Sequence, residues 1–231
     1  VGELIKSQIL KTKFNVPRTK TASIIVIEQI YNLIGLVIVS CIGLGLIMTF
    51  QIEFFEVTSF VIMGATIVLT FILILIKSRT AFEKVFHKFS KFKFISKYEL
   101  SYEESYEVIK KSLNGKLLIF STFLSAAFWI IESVVVYFVL LAFDVDILEF
   151  TTIIATYTSS IILGVASFLP MGIGVTEGSL AGFFALKGVD ISLALTIVIF
   201  IRIFTRWIGV GLGFISLKII GGFSIESKKE N

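Results

Sequence analysis

Cysteine and histidine are almost missing from this sequence of 231 residues, which contains one of each. A single cysteine, Cys41, cannot form an internal disulfide, and a single histidine, His87, has no second imidazole for a metal site or a proton relay. We interpret Cys41 as a packing residue in an apolar run and His87 as a surface residue of a lysine-rich stretch. The sequence therefore predicts no disulfide framework, no metal and no cofactor.

Proline is also rare, with two residues, and charged residues make up only 16% of the chain. Hydrophobic residues make up 56%, phenylalanine accounts for 24 positions, and the mean hydropathy is +0.96. This composition predicts an all-α, polytopic membrane helix bundle, because a bilayer span needs about 20 mostly apolar residues. The expected spans of this single integral membrane domain (1–231) are approximately 22–48, 57–76, 117–143, 148–169 and 191–217, with a shorter segment at 171–186.

The connections between these segments differ in charge, which predicts the orientation of the chain. The N-terminal stretch and the loop 77–116 are rich in lysine and arginine, whereas the turns that carry Glu53 and Asp144 have acidic residues and no basic ones. Because positively charged loops remain cytoplasmic, we expect the N-terminal stretch, the loop 77–116 and the C-terminus to face the cytoplasm of a plasma-membrane protein. Val1 is not an initiator methionine, so we expect the sequence to begin inside a longer protein.

A Pro/Gly-rich stretch interrupts the apolar sequence at 170–178 and carries a carboxylate, Glu177. Backbone groups freed by such a break at membrane depth must face protein or a wet cavity, because lipid cannot hydrogen-bond to them. The segment 171–186 is short for a crossing. It is either a sixth, short span or the second arm of a re-entrant hairpin, and the sequence alone does not choose between them.

The cytoplasmic loop has a pattern of its own. Phe82, Val85, Phe86 and Phe89 recur at helical spacing, and the lysines of this stretch occupy other positions of the same helical turns. This pattern fits a basic helix on the membrane surface, where each lysine near anionic lipid contributes about 1 kcal/mol. The other interpretation is a soluble hairpin in which this helix packs on the acidic, tyrosine-rich stretch that follows.

Ionisable residues within the spans are the strongest functional signal, because each costs about 2.5 to 3.5 kcal/mol at the centre of an inserted helix. They are Glu28, Glu132, Glu177, Arg202 and Arg206. Arg202 and Arg206 are four residues apart and therefore share a helix face, as do Glu28 and Asn32. Two interpretations are open: a polar, lined interior, or ion pairs that only hold the bundle together. For Glu132 we favour a simple pair with Arg206.

Two matching spacings suggest an inverted repeat. Gly2 and Glu3 precede Glu28 by about 25 residues, and Glu177 precedes Arg202 by the same interval. Inverted repeats in transporters place broken helices at the membrane midplane, with helix N-termini directed at anionic groups.

Three blocks of the sequence resemble a known family, the flippase-like transmembrane region of lysylphosphatidylglycerol synthases (bacterial multiple-peptide-resistance factors) and their stand-alone bacterial and archaeal relatives. The first is Gly2–Glu3–Leu4, and the second is Glu28 with Leu33. The third, which is the most specific, comprises Pro170, Gly172, Gly174, Val175, Glu177 and Gly178, followed by Gly188 and Arg202. The sequence departs from the family pattern at Gln29, where arginine is usual, and at Asn32, where aspartate is common.

The resemblance implies movement of a polar-headed phospholipid or lipid-linked intermediate between leaflets. The largest connecting loop, 77–116, is too short to bury the core of a transferase domain, so we expect a lipid transporter rather than an enzyme. The candidate headgroup site is Gly2, Glu3, Glu28, Pro170, Gly172, Gly174, Glu177, Arg202 and Arg206. A nucleotide-binding phosphate loop is lacking, so transport would be passive or driven by a gradient. The expected partners are anionic or polyprenyl-type membrane lipids, a synthase or glycosyltransferase and further copies of the chain, with no nucleic acid. Two alternatives are a membrane scaffold for a cytoplasmic synthase and a membrane enzyme of lipid-linked sugar metabolism.

Overall fold

A computed structural model describes residues 18–47, 52–90, 102–113 and 115–219 of the chain. The described residues form helices and turns and contain no strand, which confirms the all-α membrane bundle. The helices are α1 (Arg18–Ile47), α2 (Ile52–Lys77), α3 (Arg79–Ser90), α4 (Tyr102–Ser112), α5 (Lys116–Ala142), α6 (Phe150–Ala166), α7 (Val175–Leu186), α8 (Ile191–Arg202) and α9 (Ile208–Ile219). A π-helical turn, Ile203–Trp207, joins α8 to α9.

Four helical stretches of the described chain are long and apolar enough to cross a membrane: Lys20–Leu46, Thr58–Lys77, Lys116–Ala142 and Ile191–Ser216. The segment expected at 148–169 is not among these four stretches, because its helix, α6, has only 17 residues. At 1.5 Å per residue this corresponds to about 26 Å. The helix stops early because Phe168 adopts a left-handed backbone (φ 56°) and Leu169 is extended ahead of Pro170.

The described chain divides into two compact units, and α1, α2 and α5 each contribute residues to both. The first unit lies within Val1–Ile38 and Met63–Phe128, and the second lies within Val39–Ile62 and Trp129–Asn231.

In the first unit, the core is a cluster of apolar residues from α1, α2 and α4, joined by residues of the loop 77–116. Ile27, Ile30, Tyr31, Ile76 and Ile109 are buried, and Phe82 of α3 packs against them. The Phe82 ring lies 5.4 Å from the ring of Tyr106 on α4. Helix α3 thus packs on α4 at this position, as in the hairpin interpretation, while its lysines Lys84 and Lys88 are exposed.

In the second unit, α6 is the central helix. Every residue from Thr152 to Ile162 is buried. The hydroxyls of Thr156, Thr158 and Ser160 donate to backbone carbonyls of the preceding turn, which satisfies these polar groups inside an apolar environment. This helix packs against α7, which in turn packs against α8.

The interruption predicted at Pro170 is present. Pro170–Gly172 forms a single 3-10 turn, and α7 begins only at Val175. Met171, Gly172 and Gly174 all have positive φ angles. The turn also lies very close to α6, because a Cβ atom added to Gly172 would be 2.8 Å from the Cα of Gly164. Glycine is needed at both positions for the two backbones to approach.

We expect Gly164→Ala to destabilise the protein by about 1–3 kcal/mol, the usual effect of overpacking a tight interior. The added methyl would lie 2.0 Å from Oγ1 of Thr176, at the start of α7. Gly182→Ala on α7 is the matched control, because nothing lies within 4 Å of its added methyl. The measurement is the thermal unfolding midpoint in detergent. Equal midpoints for the two variants would contradict the close approach of α6 to the turn.

Candidate functional site

The three charged residues of the candidate site that lie in the second unit, Glu177, Arg202 and Arg206, form two ion pairs together with Glu132. Arg202 pairs with Glu177, with 2.5 Å between Nε and Oε1, and Arg206 pairs with Glu132, with 3.2 Å between Nη2 and Oε2. Both arginines come from one stretch of helix: Arg202 is the last residue of α8, and Arg206 lies within the π-helical turn that follows. Such turns are rare and occur often at functional sites.

Arg202 connects α8 to the break in the chain. Its Nη2 donates to the carbonyl oxygen of Met171 (2.9 Å), in the 3-10 turn, while its Nε donates to Glu177 on the first turn of α7. The residue is only 6% exposed. One guanidinium therefore bonds both sides of the interruption, and its planar fork fixes the directions of the two bonds, which the rotatable donors of a lysine ammonium would not do.

Glu177 has a second role at the same place. Its Oε2 accepts the backbone N–H of Gly174 at 2.7 Å. Glu177 is thus the N3 residue of α7 and caps its first turn, where four backbone N–H groups have no partner within the helix. The carboxylate joins the helix N-terminus to the buried arginine.

The second pair is bonded to two aromatic residues. Oε2 of Glu132 accepts the Tyr157 hydroxyl at 2.7 Å as well as Arg206. The Arg206 guanidinium also lies over the Trp129 ring, 5.6 Å from its centroid, a cation–π contact. Glu132, Tyr157 and Trp129 are all buried. The interpretation of Glu132 as a partner of Arg206 is confirmed.

The other predicted site residues fall into three groups: one residue in the first unit, two outside the described residues, and three at the chain break. Glu28 is exposed on α1 in the first unit, and Asn32, one turn later, receives a long hydrogen bond from Ser125 (3.5 Å between Oγ and Oδ1). Gly2 and Glu3 lie outside the described residues. The inverted repeat, which depends on them, therefore stays a prediction. Pro170, Gly172 and Gly174 form the turn that Arg202 holds.

Sequence reasoning missed two groups of this site. The Met171 carbonyl is a backbone group, and side-chain patterns give no signal for it. Tyr157 had a signal, since it is the one tyrosine of the apolar segment 148–169 and a buried phenol needs a hydrogen-bond partner. Within the described ranges, no group of three or more His, Cys, Asp or Glu side chains is placed to hold a metal ion.

Comparison with known proteins assigns the chain to a family. A family model described as the lysylphosphatidylglycerol synthase TM region matches residues 1–213. A UPF0104 membrane protein of Methanocaldococcus jannaschii is 24% identical over 221 residues, covering 95% of this chain and 90% of the relative. Another, of Methanothermobacter thermautotrophicus, is 36% identical over 92 residues, covering 40% of this chain and 27% of the relative. No solved structure matches. The chain therefore belongs to the family of lysylphosphatidylglycerol synthase transmembrane regions.

Proposed function

We propose that this membrane protein moves a polar-headed lipid between the two leaflets of the bilayer, and that Arg202 and Arg206 bind the phosphate of its headgroup. The observation that carries this proposal is the position of Arg202, a buried arginine bonded to both sides of a broken helix. Ionisable residues at membrane depth are expensive and typically mark substrate pathways.

The arrangement of the charges favours transport over a scaffold. A scaffold would need only isolated ion pairs to hold its helices together. Here the two arginines lie four residues apart in one helical stretch, Arg202 directly before the π-helical turn and Arg206 within it, and Arg202 is bonded to the helix break. Arginine suits a phosphate ligand because its planar fork matches two phosphate oxygens at once.

The family supports the lipid class of substrate. The family takes its name from lysylphosphatidylglycerol synthase, an enzyme that modifies a phospholipid. We infer that the membrane domain of this chain handles a phosphate-bearing lipid, with the basic loop and both termini on the cytoplasmic side.

The experiment that tests the proposal is lipid transfer in reconstituted vesicles. The intact protein is inserted into phospholipid vesicles that contain phosphatidylglycerol labelled on an acyl chain with a fluorophore. A membrane-impermeant quencher then reports the fraction of label in the outer leaflet over time. We expect faster exchange between leaflets than in protein-free vesicles, and equal rates would contradict the proposed function.

Arg206→Lys is expected to lower the transfer rate several-fold while leaving the fold intact. Lysine keeps a positive charge for Glu132, but a compact ammonium cannot bond the carboxylate and present a second planar pair of donors to a phosphate. The matched control is Arg79→Lys at the exposed start of α3, away from Glu132 and Glu177 in the sequence and in the first unit. A wild-type transfer rate for Arg206→Lys would remove Arg206 from the site.

A further inference from the structure

The two ion pairs differ in which partner is accessible. In the pair near the helix break, the Glu177 side chain is 26% exposed and the Arg202 side chain 7%. In the Arg206–Glu132 pair the order is reversed, with 24% for Arg206 and 8% for Glu132. A ligand can therefore approach Arg206 without moving Glu132. The Glu177 carboxylate occupies the Nε donor of Arg202, so a ligand that is to bond this donor must first displace the carboxylate.

Glu177 uses a set of donors that would also suit a phosphate. Its two oxygens accept the Nε–H of Arg202 and the backbone N–H of Gly174. A guanidinium and a helix N-terminal amide are both common donors to phosphate oxygens. We propose that the Glu177 carboxylate is a place-holder in the phosphate site, and that the phosphate of the transported headgroup displaces it from Arg202 and Gly174. This inference rests on the proposed function and names the residue that controls access to the site.

The surroundings of the pair permit this exchange. Nη2 of Arg202 remains bonded to the Met171 carbonyl, so the guanidinium stays in place when its Nε changes partner. About a quarter of the Glu177 side chain is exposed, so the carboxylate can turn outward. It then avoids becoming an unpaired buried charge, which is the main cost of breaking a buried ion pair. The carboxylate competes with the phosphate and keeps Arg202 paired until a lipid arrives.

Glu132 provides the internal contrast. It also bonds an arginine, but it is nearly enclosed and is held in addition by the Tyr157 hydroxyl. Its removal would leave that hydroxyl and Arg206 without their acceptor. Only one of the two carboxylates is therefore placed to exchange with a ligand.

The test is the retention of phosphate-bearing lipid by Glu177→Gln. The protein is purified in mixed micelles with equal amounts of phosphatidylglycerol and diacylglycerol, and the bound lipid is counted by native mass spectrometry. A place-holder predicts that Glu177→Gln retains several-fold more phosphatidylglycerol relative to diacylglycerol than wild type does. The gain should disappear in the double variant Glu177→Gln/Arg202→Ala. Asp146→Asn, which removes an exposed carboxylate in the α5–α6 connection, should retain wild-type amounts.

If Glu177 only stabilises the start of α7, Glu177→Gln should not retain more phosphatidylglycerol than wild type. Unchanged or lower retention by folded Glu177→Gln would overturn the inference, even if arginine-dependent transfer in vesicles persisted and the proposed function stood. Glu177→Ala is prepared in parallel, and whichever variant keeps the wild-type melting profile is used. An excess of inorganic phosphate distinguishes the source of the ligand. Retention that survives it assigns the site to a lipid headgroup, whereas competition shows that the site also takes free phosphate.

Discussion

Replacing Arg202 with alanine is expected to lower lipid transfer in vesicles by at least about tenfold, because hydrogen bonds to charged groups contribute about 1.5–3 kcal/mol each. Arg202 is the residue that joins Glu177, the Met171 carbonyl and, in our proposal, the lipid phosphate. Arg202→Lys should give an intermediate rate, since it restores the charge without the planar fork.

Loss of the fold is not the expected cause of this effect. Without Arg202, Glu177 keeps the backbone N–H of Gly174 and a partly exposed side chain, so no buried carboxylate is stranded. Membrane insertion and the elution profile in detergent should match those of wild type. Normal transfer by a well-folded Arg202→Ala would remove this residue from the phosphate site.

Replacing Glu132 with alanine is expected to have the largest effect on stability, about 3–5 kcal/mol, because it removes two hydrogen bonds to a charged group, each of which contributes about 1.5–3 kcal/mol. The change leaves the partly exposed Arg206 without its carboxylate and the buried Tyr157 hydroxyl without its acceptor. The measurement is the thermal unfolding midpoint in detergent.

Two comparisons isolate the electrostatic part of this effect. Tyr157→Phe removes one hydrogen bond and should cost only about 1 kcal/mol. The double variant Glu132→Met/Arg206→Met removes both charges together and should be more stable than Glu132→Ala, because apolar replacement of an entire buried pair is often tolerated. If Glu132→Ala melts at the wild-type temperature, Glu132 does not stabilise the second unit.

Much of the fold was predictable because lipid imposes strong constraints on composition. Long apolar runs separated by charged turns gave the positions of α1, α2 and α5 to within a few residues. The length of α6 was overestimated, because the sequence Ser167–Leu169 continues the apolar segment although the chain turns there. The turn follows from the left-handed backbone conformation of Phe168. Hydropathy cannot show such a turn, whereas Pro170 could and did mark the break.

The candidate site was predictable at the level of charges. A carboxylate after a Pro/Gly break and two arginines on one helix face required partners, and the structure supplies Glu177 for Arg202 and Glu132 for Arg206. Which side of each pair is accessible depends on packing around α6 and on the π-helical turn. Neither is encoded in a local sequence pattern. The same holds for the Met171 carbonyl, whose role depends on the path of the backbone.

The most direct test of the central claim is phosphatidylglycerol transfer between leaflets by the intact protein and by the double variant Arg202→Ala/Arg206→Lys. Both proteins are reconstituted at equal density in the same vesicles. We predict that wild type exchanges the labelled lipid faster than protein-free vesicles and that the double variant falls to the protein-free rate. Equal transfer by both proteins would contradict the assignment of the phosphate site to these arginines.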